Sequence, residues 1–357
     1  MITYNIAGLF THDNFILSKI INDNNLTNKK IILYGGTTCL WHGGRNINHV
    51  LPLDEINTII DKYNSLGIGC RFVFSSCIIT KDDLNDVFCN NVLKILNKSN
   101  LNGVIISSDI LYDHISCNYK NLHIVSSIAK VTTEVPSWRD ETPEYYDKLC
   151  KKYNMVVINP TRSNDFEFLS KIKNKDKIEI LINSKCKKFC DTQGLHHKYV
   201  ANVERCSVLN TDATKYNTLI NEIMLRCQQL EEQPNCQFNI CNYNDISKLI
   251  EMGFSNFKLE GREYELDFYK YDVYKYLYGI LNRTYIAKNN KYTCSFLDGF
   301  KHSWTGGNLY SIGYSIDNFY IQSNQGTLII PSYFSNSSIF INIFGIDIIE
   351  EYNKLFQ

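Results

Sequence analysis

Residues 103–127 read GVIISSDILYDHISCNYKNLHIVSS. A β-branched run over 103–106 finishes in Ser107, Ser108 and Asp109, a helical pattern follows over 110–119, and a second apolar run over 122–125 finishes in Ser126 and Ser127. Strand, helix and strand at this spacing predict a parallel pair joined by a right-handed crossover.

The same unit recurs outward in both directions. Apolar runs stand at 3–6, 30–34, 70–74, 155–158, 178–182, 237–241 and 256–259, and helical patterns at 14–21, 53–65, 81–97, 143–153, 165–173 and 245–252. About eight such repeats predict a closed (β/α)8 TIM-barrel-like domain rather than an open sheet. Most runs end in small polar residues, such as Gly35-Gly36-Thr37, Ser75-Ser76, Asn159-Pro160 and Asn183-Ser184. In a barrel these ends gather at the C-terminal mouth, where such folds build their sites, and they equally start turns and cap helices.

The run over 178–182 leads into a different texture. It continues to Cys186 and Cys190, then Asp191, His196, His197 and Cys206, with a helix-like segment near 216–230 and an acidic close at Glu231-Glu232. So long a connection after a strand predicts a cysteine-bearing lid over the mouth, about 187–236, instead of a plain crossover. An aromatic helix over 266–281 then closes the barrel domain, 1–281. Residues 282–357, rich in Gly, Ser and Asn with alternating runs at 318–322, 327–330 and 339–343, predict a small β-rich C-terminal appendage.

Composition narrows the function. Among 357 residues, 37 Lys plus Arg balance 37 Asp plus Glu, and no long basic run tracks a phosphate backbone, so nucleic acid is not the default partner. The N-terminus lacks a signal-peptide pattern and no window reaches the roughly 18 apolar residues of a membrane span, which predicts a cytoplasmic protein without a membrane partner. Thirteen cysteines, an odd count in such a chain, read as thiols rather than disulfides.

Three stretches together carry a resemblance. Tyr34-Gly35-Gly36-Thr37-Thr38-Cys39 followed by Arg45, Phe257-Lys258-Leu259-Glu260-Gly261-Arg262 after Glu251-Met252-Gly253, and the strand into Cys186 and Cys190 resemble the collagenase-like peptidase family, peptidase family U32. The likeness in order and spacing covers roughly residues 1–281. It implies a TIM-barrel-like domain and, in several members, a [4Fe–4S] cluster held by four cysteines. Such members act in hydroxylation of tRNA or of a quinone precursor, while others are recorded as proteases. Here the first pair is CxxxC, and the family's cysteine-proline context near the third ligand is missing.

From the residues alone, Cys186, Cys190 and Cys206 are candidate thiolate ligands for a cluster or, alternatively, for zinc. The fourth candidate is Cys241, then Cys39, then Cys236. Lys258 and Glu260, two apart on a strand, share one face, with Arg262 just beyond to hold an anionic group. Candidate catalytic residues are thus Glu260, Lys258 and His197; candidate substrate-binding residues are Arg262, Arg45 and Asn183. No serine-histidine-aspartate context, phosphate loop or HExxH occurs. Three readings stand: an iron–sulfur protein of a modification or hydroxylation pathway; a hydrolase on peptides, with Glu260 and a histidine or metal activating water; and a non-catalytic accessory subunit, with a partner subunit of the same family. The substrate, whether small molecule, peptide or RNA-derived, is not encoded in any motif.

Overall fold

The computed structural model describes residues 1–21, 29–43, 50–135, 137–231 and 238–261, positions 269, 272, 273, 276 and 277, and residues 292–294, 318–323 and 326–331. The chain divides into two compact units, Met1–Glu263 and Tyr264–Gln357.

In the first unit the elements follow as β1 (Ile2–Ala7), the turn α1 (Asp13–Phe15) running into a π-type turn, β2 (Lys29–Gly35), α2 (Leu53–Ser65), β3 (Gly69–Phe74), α3 (Val87–Leu96), β4 (Gly103–Ile106), α4 (Asp109–Asn118) and β5 (His123–Ser126). Next come α5 (Ile128–Glu134), α6 (Pro143–Lys152), β6 (Met155–Val157), α7 (Phe166–Ser170), β7 (Ile178–Leu181), β8 (Asn183–Lys187), α8 (Gln193–Val208), α9 (Thr214–Glu231), β9 (Phe238–Ile240), α10 (Tyr243–Glu251) and β10 (Asn256–Leu259). Eight parallel strands close into a barrel in the order β1-β10-β7-β6-β5-β4-β3-β2. The (β/α)8 expectation holds.

Closure buries both faces of every strand, which is why β3, β4 and β7 are apolar almost throughout. The inward residues stack in layers drawn from alternate strands, as a barrel with this stagger requires. Following the registers around, Asn5, Arg71, Val125 and Glu179 form one layer, and Tyr34, Ile105, Val157 and Lys258 the next toward the mouth. Ala7, Tyr34, Val73, Ile105, Val125, Met155 and Val157 pack together as the apolar part of the lumen.

Several strand-end residues are helix caps. Ser108 accepts from Leu111 N–H at the start of α4, and Ser127 from Ala129 N–H at the start of α5. Asn159 likewise accepts from Thr161 N–H. Each such cap is worth about 1 kcal/mol.

The connection after β7 is the departure from the regular barrel. β8 and β9 form an antiparallel ribbon, Asn183 opposite Ile240 and Ser184 opposite Asn239. The run over 237–241 therefore lies outside the barrel, and β10 is the eighth barrel strand. Between the two ribbon strands, α8 packs against α5 and α9. Gly194 makes the first contact possible, since a Cβ there would stand 2.1 Å from the Thr132 carbonyl oxygen of α5. At its other end Glu204 Oε1 lies 2.7 Å from His42 Nδ1 and Arg205 Nη1 2.6 Å from Asp83 Oδ2, in the loops after β2 and β3. α8 thus runs across the mouth from the β5 side to the β2 and β3 side, a lid in the place the sequence predicts.

Among the described residues no helix is long and apolar enough to cross a membrane. In the second unit β11 (Tyr292–Cys294), β12 (Asn318–Ser323) and β13 (Gly326–Pro331) form an antiparallel sheet in that order. The predicted strand over 339–343 and most of the predicted helix over 266–281 fall outside the described residues.

Candidate functional site

The site begins with the turn that folds Cys190 back toward Cys186. Phe189 between them has φ 66°, a left-handed conformation that costs a non-glycine residue about 1–3 kcal/mol unless its surroundings hold it. They do: its N–H donates to Thr161 Oγ1 at 3.3 Å, and its ring packs 4.6 Å from that of Trp138. Lys188 Nζ donates to Asn164 Oδ1 at 2.8 Å. A strained turn held from both sides brings two thiols together.

A third thiol arrives from the lid. Cys227 of α9 follows Ile223, buried on the inward face of that helix, at the i+4 position. The thiols of Cys186 and Cys227 both donate to the Cys190 sulfur, and with Thr192 Oγ1 at 3.4 Å they hold Cys190 far below the usual thiol range, at about 2. As the donors, Cys186 and Cys227 are pushed up. For Cys186, burial and the charges of Cys190 and Glu260 act in the same direction. Gln193 Nε2, in the first turn of α8, donates to Cys186 Sγ at 3.5 Å. The arrangement favours ionisation of Cys190 over that of its two neighbours.

Cys206 and Cys241 stand elsewhere. Gln193 touches Cys186, and from Gln193 to Cys206 α8 climbs about 20 Å at ~1.5 Å per residue. Cys206 sits instead beside Arg205, at the β3 end of the lid. The ribbon sets Cys241, whose N–H donates to Ile182 O at 2.8 Å, about 13 Å along the strand from Cys186. Its Sγ lies 3.5 Å from Ser163 O. Cys39, buried, shares a hydrogen bond with Cys89 of α3. Cys236 lies outside the described residues.

The other candidates divide similarly. Lys258 Nζ is 2.9 Å from Glu179 Oε1 and 4.1 Å from the Tyr34 ring centroid, inside the lumen. Asn183 makes a two-way clasp with the backbone of Glu260, donating to its oxygen at 2.9 Å and accepting from its N–H at 2.8 Å. That clasp pins the end of β10 beside the start of β8. His197 Nδ1 lies 2.8 Å from Thr132 Oγ1 on α5, fixing the lid. Of the proposed catalytic trio, Glu260 acts on the thiols through its charge, which raises the Cys186 pKa. Arg45 and Arg262 lie outside the described residues.

Among the described residues no three His, Cys, Asp or Glu side chains stand in a metal-holding arrangement. The donor atoms gathered there are three sulfurs, the type that soft metals prefer.

No family model matches the chain, and no curated protein matches it. One solved structure is similar, that of the U32 peptidase Mk0906, at 12% identity and a TM-score of 0.47, covering 73% of this chain and 93% of that one. At that level of likeness neither an activity nor site residues pass to this chain.

Proposed function

We propose that this chain is a U32-like barrel protein whose working centre is the Cys186, Cys190 and Cys227 thiol group, holding a thiophilic metal centre, a [4Fe–4S] cluster in the first place and zinc in the second. One observation carries the reading: Cys227 of α9 meets the Cys186–Cys190 pair under the lid, and its company and that of Cys186 lower the Cys190 pKa. Thiolates are the form that ligates soft metals, and hydrogen bonds to a cysteine sulfur tune such a centre. The motif resemblance of residues 34–45 and 257–262 supports it. Cys186, Cys190 and Cys227 would ligate; Glu260 sets the local charge, Gln193 and Thr192 donate to the sulfurs, and α8 and α9 exclude water. When bound, a cluster supplies one-electron redox chemistry of the kind a modification or hydroxylation pathway uses, and a reducing cytoplasmic compartment suits the free thiols.

Anaerobic purification followed by an absorbance spectrum and iron, sulfide and zinc analysis tests this. Metal present in wild type, lost in Cys186→Ala, Cys190→Ala and Cys227→Ala and kept in Cys206→Ala and Cys241→Ala, is the expected result. Wild type without iron or zinc overturns it.

The mutual hydrogen bonds of the sulfurs favour a second reading, a dithiol redox centre. The Cys190 thiolate attacks a substrate disulfide and releases one thiol; Cys186 then displaces the second, leaving a Cys186–Cys190 disulfide and a substrate reduced by two electrons. Metal-free protein that reduces a model disulfide with loss of its own two thiols would establish it.

A further inference from the structure

The turn that folds Cys190 toward Cys186 takes its place from the loop after β6. Thr161 Oγ1 of that loop accepts from Phe189 N–H at 3.3 Å, and Asn164 Oδ1 accepts from Lys188 Nζ at 2.8 Å. The loop is also tied to the strand that leads into the turn, since Ser163 Oγ donates to Leu181 O at 2.8 Å. Where this loop sits decides where Phe189 sits, and with it the approach of Cys190 to Cys186.

A carboxylate in the connection between α5 and α6 fixes the loop. The Glu141 side chain is completely buried. Its Oε1 accepts from Asn159 Nδ2, and its Oε2 accepts from the Tyr146 hydroxyl at 3.1 Å and lies 3.5 Å from Arg162 Nε. Tyr146, fully buried on α6, also accepts the Asn159 N–H at 3.2 Å. From Asn159 and Arg162 two routes run on to Phe189. Asn159 Oδ1 accepts from the N–H of Thr161 at 3.0 Å, the residue whose hydroxyl holds the Phe189 N–H. Arg162 donates through Nη2 to Trp138 O at 2.7 Å and lies 5.3 Å from the centroid of the Trp138 ring, against which Phe189 packs. Its Nη1 goes to Asp165 Oδ2 at 2.7 Å.

A charge in such a place is costly. Burial raises the Glu141 pKa, and Asn159, Tyr146 and Arg162 draw it down without overcoming burial. What the carboxylate offers is acceptance on both oxygens, whereas an amide of the same shape would turn N–H groups toward one of these donors. One side chain thereby joins α6 to two points of the loop.

We propose that Glu141 is a positioning residue of the thiol centre: through Asn159 and Arg162 it fixes the loop after β6, and so the left-handed turn that brings Cys190 to Cys186. The proposal rests on the reading that these thiols are the working centre, and concerns their spacing rather than what they hold.

The test equilibrates full-length, metal-free protein with mixtures of glutathione and glutathione disulfide. As the Cys186–Cys190 bond forms, one glutathione disulfide becomes two glutathiones, and peptide mass spectrometry gives the fraction joined. The equilibrium constant reports the effective concentration of one thiol at the other. Glu141→Gln should lower it about tenfold, as loss of a buried, hydrogen-bonded charge does. Tyr146→Phe takes one donor from Glu141, and Thr161→Val cuts only the link to the Phe189 N–H. Each should lower the constant several-fold, and these two decide the matter if Glu141→Gln does not fold. Tyr63→Phe, which removes a buried hydroxyl bonded to Asp13 Oδ1 at 2.6 Å on α2, should leave it at the wild-type value. Folded variants of the brace with the wild-type constant overturn the proposal, and so does an equal fall in Tyr63→Phe. Iron and zinc analysis of wild type judges the metal reading separately: metal-free protein that still shows the fall sinks that reading and leaves Glu141 in its role.

Discussion

Replacing Glu179 by Gln should be among the most damaging single changes in the barrel. The carboxylate is fully buried and binds two cations at 2.8 and 2.9 Å, each itself under a tenth exposed, so solvent cannot take its place. Gln keeps the shape and removes the charge, leaving Arg71 and Lys258 facing each other across the lumen. Removing one partner of a buried pair costs about 3–5 kcal/mol, and here the repulsion between the two cations adds to it. The triple variant Arg71→Met, Glu179→Leu, Lys258→Met removes all three charges and should recover most of that loss, because well-packed apolar replacement of a buried ionic group is close to neutral. Urea unfolding of wild type, Glu179→Gln and the triple variant measures both. A loss under about 1 kcal/mol for Glu179→Gln would refute the argument, since it would mean that the lumen is wet and the charges are screened. The sign with pH follows. Burial raises the Glu179 pKa, but Lys258 and Arg71 outweigh it and hold it below the ordinary value. Its stabilisation is therefore complete above the usual carboxylate range and is lost as pH falls through the lowered folded value.

The thiolate at Cys190 should show in far-ultraviolet absorbance. One thiolate per chain persists at pH 5 in metal-free wild type, vanishes in Cys190→Ala, and titrates at higher pH in Cys186→Ala, which removes the first of its hydrogen-bond donors. Gly194→Ala puts a methyl group 2.1 Å from Thr132 O and should push α8 off α5, read as faster amide exchange in α8 with the barrel strands unchanged. Phe189→Gly relieves the backbone strain but gives up the Trp138 contact. Phe189→Ala gives up the contact and keeps the strain, so the Gly variant should be the more stable of the two by about 1 kcal/mol in urea unfolding.

What the sequence shows of this fold follows from where burial is apolar. β4 and β10 fall at 103–106 and 256–259, as their β-branched and aromatic runs indicate, because strands buried on both faces announce themselves. The run over 237–241 is a strand too, but a short apolar run carries no record of its partner, and β9 joins β8 instead of the barrel. α8 has no apolar stripe to read: its buried residues are Gln193, Gly194, Ala201 and Glu204, held by polar contacts and by backbone proximity. The CxxxC spacing of Cys186 and Cys190 is legible in the sequence as two thiols brought close by one turn. Cys227 is not, since a cysteine on a helix face looks like a small core residue, and its i+4 spacing from Ile223 marks only that it points inward.

The same insertion carries the thiols and the lid, and that joins assembly of the centre to closure over the mouth. Cys186 and Cys190 belong to β8 and its turn, Cys227 to α9, and the Gln193 side chain on Cys186 to the first turn of α8. α8 stays in place through Thr132 and His197 at one end and through the Glu204–His42 and Arg205–Asp83 pairs at the other. His42 and Glu204 are completely or almost completely buried, and breaking a buried pair by removing one partner costs several kcal/mol. Glu204→Ala, more than 20 residues before Cys227, should therefore loosen the lid and reach the thiol centre without touching it. The observable is the Cys190 thiolate: if Glu204→Ala leaves its titration where wild type has it while amide exchange shows α8 released, the centre is held by the β8–β9 ribbon and α9 alone, and the lid does no more than cover it.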